Sequence, residues 1–280
     1  MTKKEIIDLR NSFITNERLD EKSKRTTISY TNAINKFIDF IPDTFDLNKE
    51  LLINYKDKLY NEGYAIKTRN QYIIVLNKFL KFADHSDLKL KKFKEQQKSS
   101  IDDIIEPQEH KRMLRWAKRL NMIDMYYIIE IFASVGIRLD ELKYFTVENL
   151  QSNYIKGAYN KGKERTLIVT NELRRDLKHY CKENKIESGI IFRSPVDPTK
   201  MLSNRCIEKR LKKIAKKAKI NPDKIHPHAW RHLFAKKCKE SGIDLDELRD
   251  ILGHKSIETT ALYTMTSMKE KKEKLEKIRY

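Results

Sequence analysis

Three cysteines, seven glycines and six prolines are all that the 280 residues contain of those types. Cys181, Cys206 and Cys238 stand far apart and form no CxxC pair. That spacing suits neither a disulfide framework nor a thiolate zinc site, and fits a reducing, cytoplasmic setting. So little Gly and Pro excludes collagen-like, Pro-rich and long disordered tracts. No apolar run approaches the roughly 20 residues that a bilayer-spanning helix needs. Residues 1–4 start no secretory pattern, so no membrane role is expected. Acidic side chains are also short: 40 Asp and Glu face 59 Lys and Arg, for a formal net charge of +19 and a pI near 9.6.

A field of that sign calls for a polyanionic partner, nucleic acid before an acidic membrane surface. The excess is spread out. Residues 1–100 hold 20 Lys and Arg against 14 Asp and Glu, and the remaining 180 residues carry the rest. Charge names a class of partner and no reaction.

Apolar spacing predicts helices over 26–41, 47–60 and 68–83, with a weaker one over 3–14. Together they make a helical bundle with Lys-rich polar faces. Residues 87–101 are Lys-dense and lack helical spacing, so they read as a basic linker that either lies along a phosphate backbone or is merely solvated. Helical spacing resumes after Pro107, and 125–134 is apolar almost all round, as expected of a core helix. Residues 154–159 and 166–170 are β-prone and flank a polar, Gly-containing turn, which predicts a hairpin with Lys161 at or near its tip. Further helices are expected over 171–183, 203–218 and from Pro227 to Gly242. Another opens on the capping-box-like 244–247 and stops at Gly253, and Ser256 caps the next. The fold class is mainly α with one small β-hairpin or sheet. Three parts are expected: a helical domain over 1–86, the linker over 87–101, and a second domain with a tail over 102–280.

The stretch from His226 to Tyr263 carries the chemistry: His228 and Arg231 three apart, His254 directly after Leu252-Gly253, and Tyr263 nine residues later. Cutting a phosphodiester with an enzyme nucleophile needs cations around the non-bridging oxygens, where charge builds. Arginine suits this because its planar fork donates two hydrogen bonds to one phosphate. A proton donor must reach the departing oxygen, and basic neighbours must help a phenol whose ordinary pKa is about 10. Arg138, Lys161, His228, Arg231, His254 and Tyr263 supply those groups without a metal or cofactor. His226, His228 and His232 form an HxHxxxH pattern, but no carboxylate or Cys is clustered with it, and His226 and His232 read as structural.

GIRLDEL around Arg138, NKGKERTLIV, HPHAWRH, LGH and TTALYT occur in the order and spacing of the tyrosine recombinase (phage integrase) family. The chain resembles its Xer-like and integrase branches from about Asp102 to Met268, and more weakly the family's core-binding domain before that. The resemblance makes Tyr263 the nucleophile, giving a 3′-phosphotyrosyl bond and a free 5′-hydroxyl. Arg138 and Arg231 clamp the scissile phosphate, Lys161 protonates the 5′-oxygen, and His228 and His254 handle protons and bond the phosphate. Glu141 supports the arginines. The hairpin is short, so Lys163 stays a rival to Lys161. The implied protein is a site-specific recombinase: two domains around double-stranded DNA, a homotetramer on two sites, with an accessory or partner recombinase conceivable. A non-catalytic helical DNA-binding protein, and a type IB topoisomerase or telomere resolvase, are the alternatives.

Overall fold

The computed structural model describes residues 1–94, 105–160 and 163–254, and beyond these 256, 257, 260, 261, 272, 275, 276 and 278; the side chains of Asn160 and Lys163 are outside the description. The chain divides into two units, Met1–Gln97 and Lys98–Tyr280.

The first unit is four helices: α1 (Lys3–Leu19), α2 (Lys24–Ile38), α3 (Lys49–Asn61) and α4 (Ile66–Phe82). Helix α1 runs five residues past its expected end. Thr2 and Glu5 close a capping box at its start, with Thr2 N donating to Glu5 Oε2 at 2.8 Å and Glu5 N to Thr2 Oγ1 at 3.3 Å. Ile6 and Phe13 of α1 join Ile34 and Phe37 of α2, Leu52 and Tyr55 of α3, and Ile73, Leu76 and Phe79 of α4 in one buried cluster. The ring of Phe13 meets Phe79 edge-on at 5.7 Å. Glu17 is buried and is neutralised by Lys78 at 2.5 Å.

The start of the Lys-dense segment lies against α4. Asn77 brackets Leu90, accepting from its N–H at 2.9 Å and donating to its carbonyl at 2.8 Å. Asn70, two turns earlier on the same helix face, brackets Phe93 in the same way at 2.8 and 3.1 Å. The two side-chain amides hold the backbone of this segment against α4.

The second unit places α6 (Ile123–Val135) in the middle of its core, packed by α5 (Pro107–Arg119), α7 (Asn171–Glu183), α8 (Asn204–Lys217) and α9 (Pro227–Glu240). Met125, Ile128, Ile129, Ile131 and Phe132 of α6 are buried, as the apolar run predicts. Strands β1 (Tyr154–Asn160) and β2 (Lys163–Ile168) pair antiparallel, with a register shift between Ile155 and Ala158 where Gly157 adopts φ +73°. One face of the hairpin buries Ile155, Ala158 and Leu167; the other exposes Tyr154, Tyr159 and Ile168. Helix α10 (Leu245–Leu252) packs against α9 and β2. Residues Leu139–Tyr144 form a short 3-10 helix.

Candidate active site

Two left-handed glycines shape the site. Gly136 ends α6 at φ +62°, and a Cβ there would sit 2.3 Å from the ring of Phe234, so only glycine lets α6 approach α9 this closely. The reversal puts Arg138 at the cap of the 3-10 turn, where its N–H donates to Glu141 Oε2 at 2.8 Å. Gly253, also at φ +62°, ends α10. Its own Cβ would lie 2.7 Å from Arg165 Cδ.

Glu141 is fully buried and holds two arginines. It accepts from Arg138 Nη1 at 3.1 Å, from Arg165 Nη2 at 2.5 Å and from Arg165 Nε at 3.3 Å. Burial pushes its carboxyl pKa up, but the hydrogen bond and charge of Arg165, joined by those of Arg138, outweigh burial and leave it below the ordinary 4.5. Glu141 is therefore ionised at neutral pH.

The last carbonyls of a helix have no partners within it and form the negative end of its dipole. Here three consecutive carbonyls each receive a guanidinium from a different element. Ile251 O accepts from Arg165 Nη1, Leu252 O from Arg231 Nη2, and Gly253 O from Arg138 Nη2 at 3.1 Å. Arg231, fully buried on α9, also donates through Nη1 to Gly136 O, so it ties the end of α6 to the end of α10.

His254 leaves α10 into this cluster. Its Nε2 lies 3.0 Å from Arg231 Nη2 and its Nδ1 lies 2.9 Å from Thr260 Oγ1. Burial, then the charges of Arg231, Arg138 and Arg165 and of His228, lower its pKa to about 3, so the imidazole is neutral. The influence of His228, exposed on the first turn of α9, places that side chain within electrostatic reach. Three guanidiniums against one carboxylate leave an excess of positive charge in a desolvated spot, which suits an anion with several oxygens.

Arg138, Glu141, Arg231 and His254 are thus brought together, and the charge of His228 acts on His254. Lys161, Tyr263 and the side chain of Lys163 lie outside the described residues. The sequence reading missed Arg165 and Thr260. Alternation along β2 carried a signal for the first, since Arg165 is in register with buried Ala158 and shares the inward face with Leu167. Thr260 had no signal beyond standing three positions before Tyr263.

A model of the phage integrase family matches residues 103–270, more than half of the chain. Tyrosine recombinase XerA of Pyrococcus furiosus is 27% identical over 273 residues, covering 95% of this chain and 92% of that protein. Tyrosine recombinase XerC of Pediococcus pentosaceus is 25% identical over 305 residues, covering 97% and 95%. Among solved structures, the integrase of transposon Tn1549 in complex with transposon right end DNA superimposes with a TM-score of 0.75 at 15% identity, covering 99% of each chain.

Proposed function

The chain belongs to the phage integrase family, and on that premise we propose that it is a site-specific tyrosine recombinase that cuts and rejoins double-stranded DNA. The observation that carries the reading is the convergence of Arg138, Arg231 and His254, from three separate elements, on the end of α10. Such a cluster matches a phosphodiester, whose two non-bridging oxygens gain charge as phosphorus becomes five-coordinate.

The phenol oxygen of Tyr263 attacks phosphorus and the bond to the 5′-oxygen breaks. The result is a 3′-phosphotyrosyl ester and a 5′-hydroxyl, so one phosphoester replaces another and no nucleotide cofactor is needed. Arg138 and Arg231 neutralise the oxygens. Lys161, or in its place Lys163, delivers a proton to the departing 5′-oxygen. His228 and His254 assist with the phenol proton and bond the phosphate. Glu141 keeps Arg138 aimed. Attack by the 5′-hydroxyl of a second duplex reverses the step and exchanges strands. A homotetramer on two sites, with or without a partner recombinase, would make that exchange reciprocal. Both units contribute backbone contacts, so affinity should fall steeply with salt.

The test uses nicked suicide duplexes drawn from the DNA flanking the gene. Wild type should yield a covalent protein–DNA band, and Tyr263→Phe should not; a band from the variant would remove Tyr263 as nucleophile. A 5′-phosphorothiolate leaving group needs no acid, so it should rescue Lys161→Ala more than Lys163→Ala, and the reverse would exchange their roles. Sequence-independent relaxation of supercoiled plasmid would turn the reading toward a topoisomerase.

A further inference from the structure

Arginine has N–H donors and no acceptor, so the contact between Arg231 Nη2 and His254 Nε2 at 3.0 Å has one possible direction. Nε2 must offer its lone pair, and the neutral imidazole must carry its proton on Nδ1. That proton points at Thr260 Oγ1, 2.9 Å away, and Thr260 in turn donates to Ser256 O at 3.4 Å. The chain of donors is therefore directional: Arg231 to His254, His254 to Thr260, Thr260 to the backbone. His254 and Thr260 are both buried, so an unmatched polar group at either place would carry a desolvation penalty.

We propose that Thr260 is a positioning residue for strand cleavage: Arg231 sets the Nδ1–H tautomer of His254 in the DNA-free protein, and the Thr260 hydroxyl pairs with Nδ1 and holds the ring in place. A hydroxyl fits this place better than a carbonyl or carboxylate. It accepts from Nδ1–H here, and it can donate to a bare Nδ1 when Nε2 must carry the proton to meet a phosphate oxygen. The low proton affinity of His254 supports a neutral ring that is free to hold either tautomer. Thr260 also lies three positions before Tyr263 in the sequence, so the residue that holds the histidine ring belongs to the segment that carries the nucleophile. The catalytic part of this inference rests on the recombinase reading; the tautomer does not.

The experiment is long-range proton–nitrogen NMR of the full-length, DNA-free protein labelled with nitrogen-15 histidine, with His254 assigned by its absence in His254→Asn. Wild type should show the Nδ1–H pattern at neutral pH. Thr260→Val, similar in size but without the hydroxyl, should keep the tautomer that Arg231 imposes but shift the Nδ1 resonance and speed exchange of its proton with water, and Thr260→Ser should restore the wild-type spectrum. On nicked duplex, Thr260→Val should form covalent adduct about tenfold more slowly, the effect of one lost buried hydrogen bond. Thr260→Ser should react nearly as fast as wild type, and DNA affinity should be unchanged in both. An Nε2–H wild-type spectrum, or a valine variant with an unaltered Nδ1 resonance or an unaltered adduct rate, overturns the proposal. If the valine protein does not fold, the wild-type and serine spectra decide. The tautomer reading needs neither DNA nor cleavage, so its failure leaves the recombinase assignment standing, and a failure of the Tyr263 test leaves the tautomer result intact.

Discussion

Replacing Glu141 by Gln keeps the volume and removes the charge on which two arginines depend. The carboxylate accepts four hydrogen bonds, two each from Arg138 and Arg165, and two oxygens offer about four lone-pair sites for them. An amide retains one oxygen and turns an NH2 toward guanidinium donors, so half of the contacts become donor against donor. The regime is set by burial: Glu141 is 0% exposed, and the side chains of Arg165 and Arg138 are 6% and 19% exposed. An exposed ion pair would contribute under about 1 kcal/mol, but removing one partner of a buried pair costs about 3–5 kcal/mol. Arg138 retains some access to water, so the lower end, about 3 kcal/mol, is expected. Both tryptophans, Trp116 and Trp230, belong to the second unit, so their fluorescence in urea follows that unit's unfolding. The midpoint of Glu141→Gln should fall by roughly 1–2 M urea. Adding Arg165→Met should recover part of the loss, with a coupling of about 1–3 kcal/mol, because the arginine then no longer lacks its counter-ion. A midpoint within about 0.3 M of wild type, or strictly additive losses, would refute the reasoning. The pH dependence has a definite sign. A carboxyl with a lowered folded-state pKa contributes stability above its unfolded value near 4.5 and loses it as pH falls through the lower folded value, so the wild-type advantage over Glu141→Gln should shrink below about pH 4.5.

His110 accepts from Trp230 Nε1 through Nδ1 at 3.2 Å, and burial, then Lys237 and Lys111, lower its pKa to about 4. The folded state thus binds fewer protons than the unfolded chain between about pH 6.5 and 4. Acidification through that window should cost about 3 kcal/mol, and His110→Asn should flatten this part of the curve measured by urea unfolding. Gly253→Ala should lose about 1–2 kcal/mol from left-handed strain and should also displace Arg165 and slow adduct formation. Gly242→Ala, at φ +89° with nothing within 4 Å of a Cβ, should show the stability loss alone, and equal adduct rates in the two variants would contradict the carbonyl cluster. In hydrogen exchange, Asn77→Ala should deprotect the Leu90 amide and Asn70→Ala that of Phe93. Unchanged protection in both would mean that the side-chain ladder does not hold this segment.

Helix and strand identity was written locally. Apolar spacing, the Gly136 and Gly253 stops and the caps before α7, α8 and α10 depend on residues within a turn or two of each other, and the elements formed where those signals stand. Helix α1 extends past its expected end because Phe13, Ile14 and Glu17 are buried there, Glu17 against Lys78 of α4, contacts that local spacing does not convey. Arg138, Glu141, Arg231 and His254 could be singled out because their residue types and spacing recur as a motif. What the chain order could not convey is which atoms these side chains meet. Arg165 joins the site because β2 turns one face inward beside α10, and its alternation alone does not distinguish a buried ion-pair arginine from a solvated one. The alignment of three guanidiniums on carbonyls 251–253, and the direction of the hydrogen bond that sets the proton on His254, follow from packing α6, α9, α10 and the hairpin together. Residue type and local spacing determined the elements and the chemical inventory. Only the tertiary structure decided the geometry, because partners such as Gly136 and Arg231 are 95 positions apart and meet only when helix packing closes that loop.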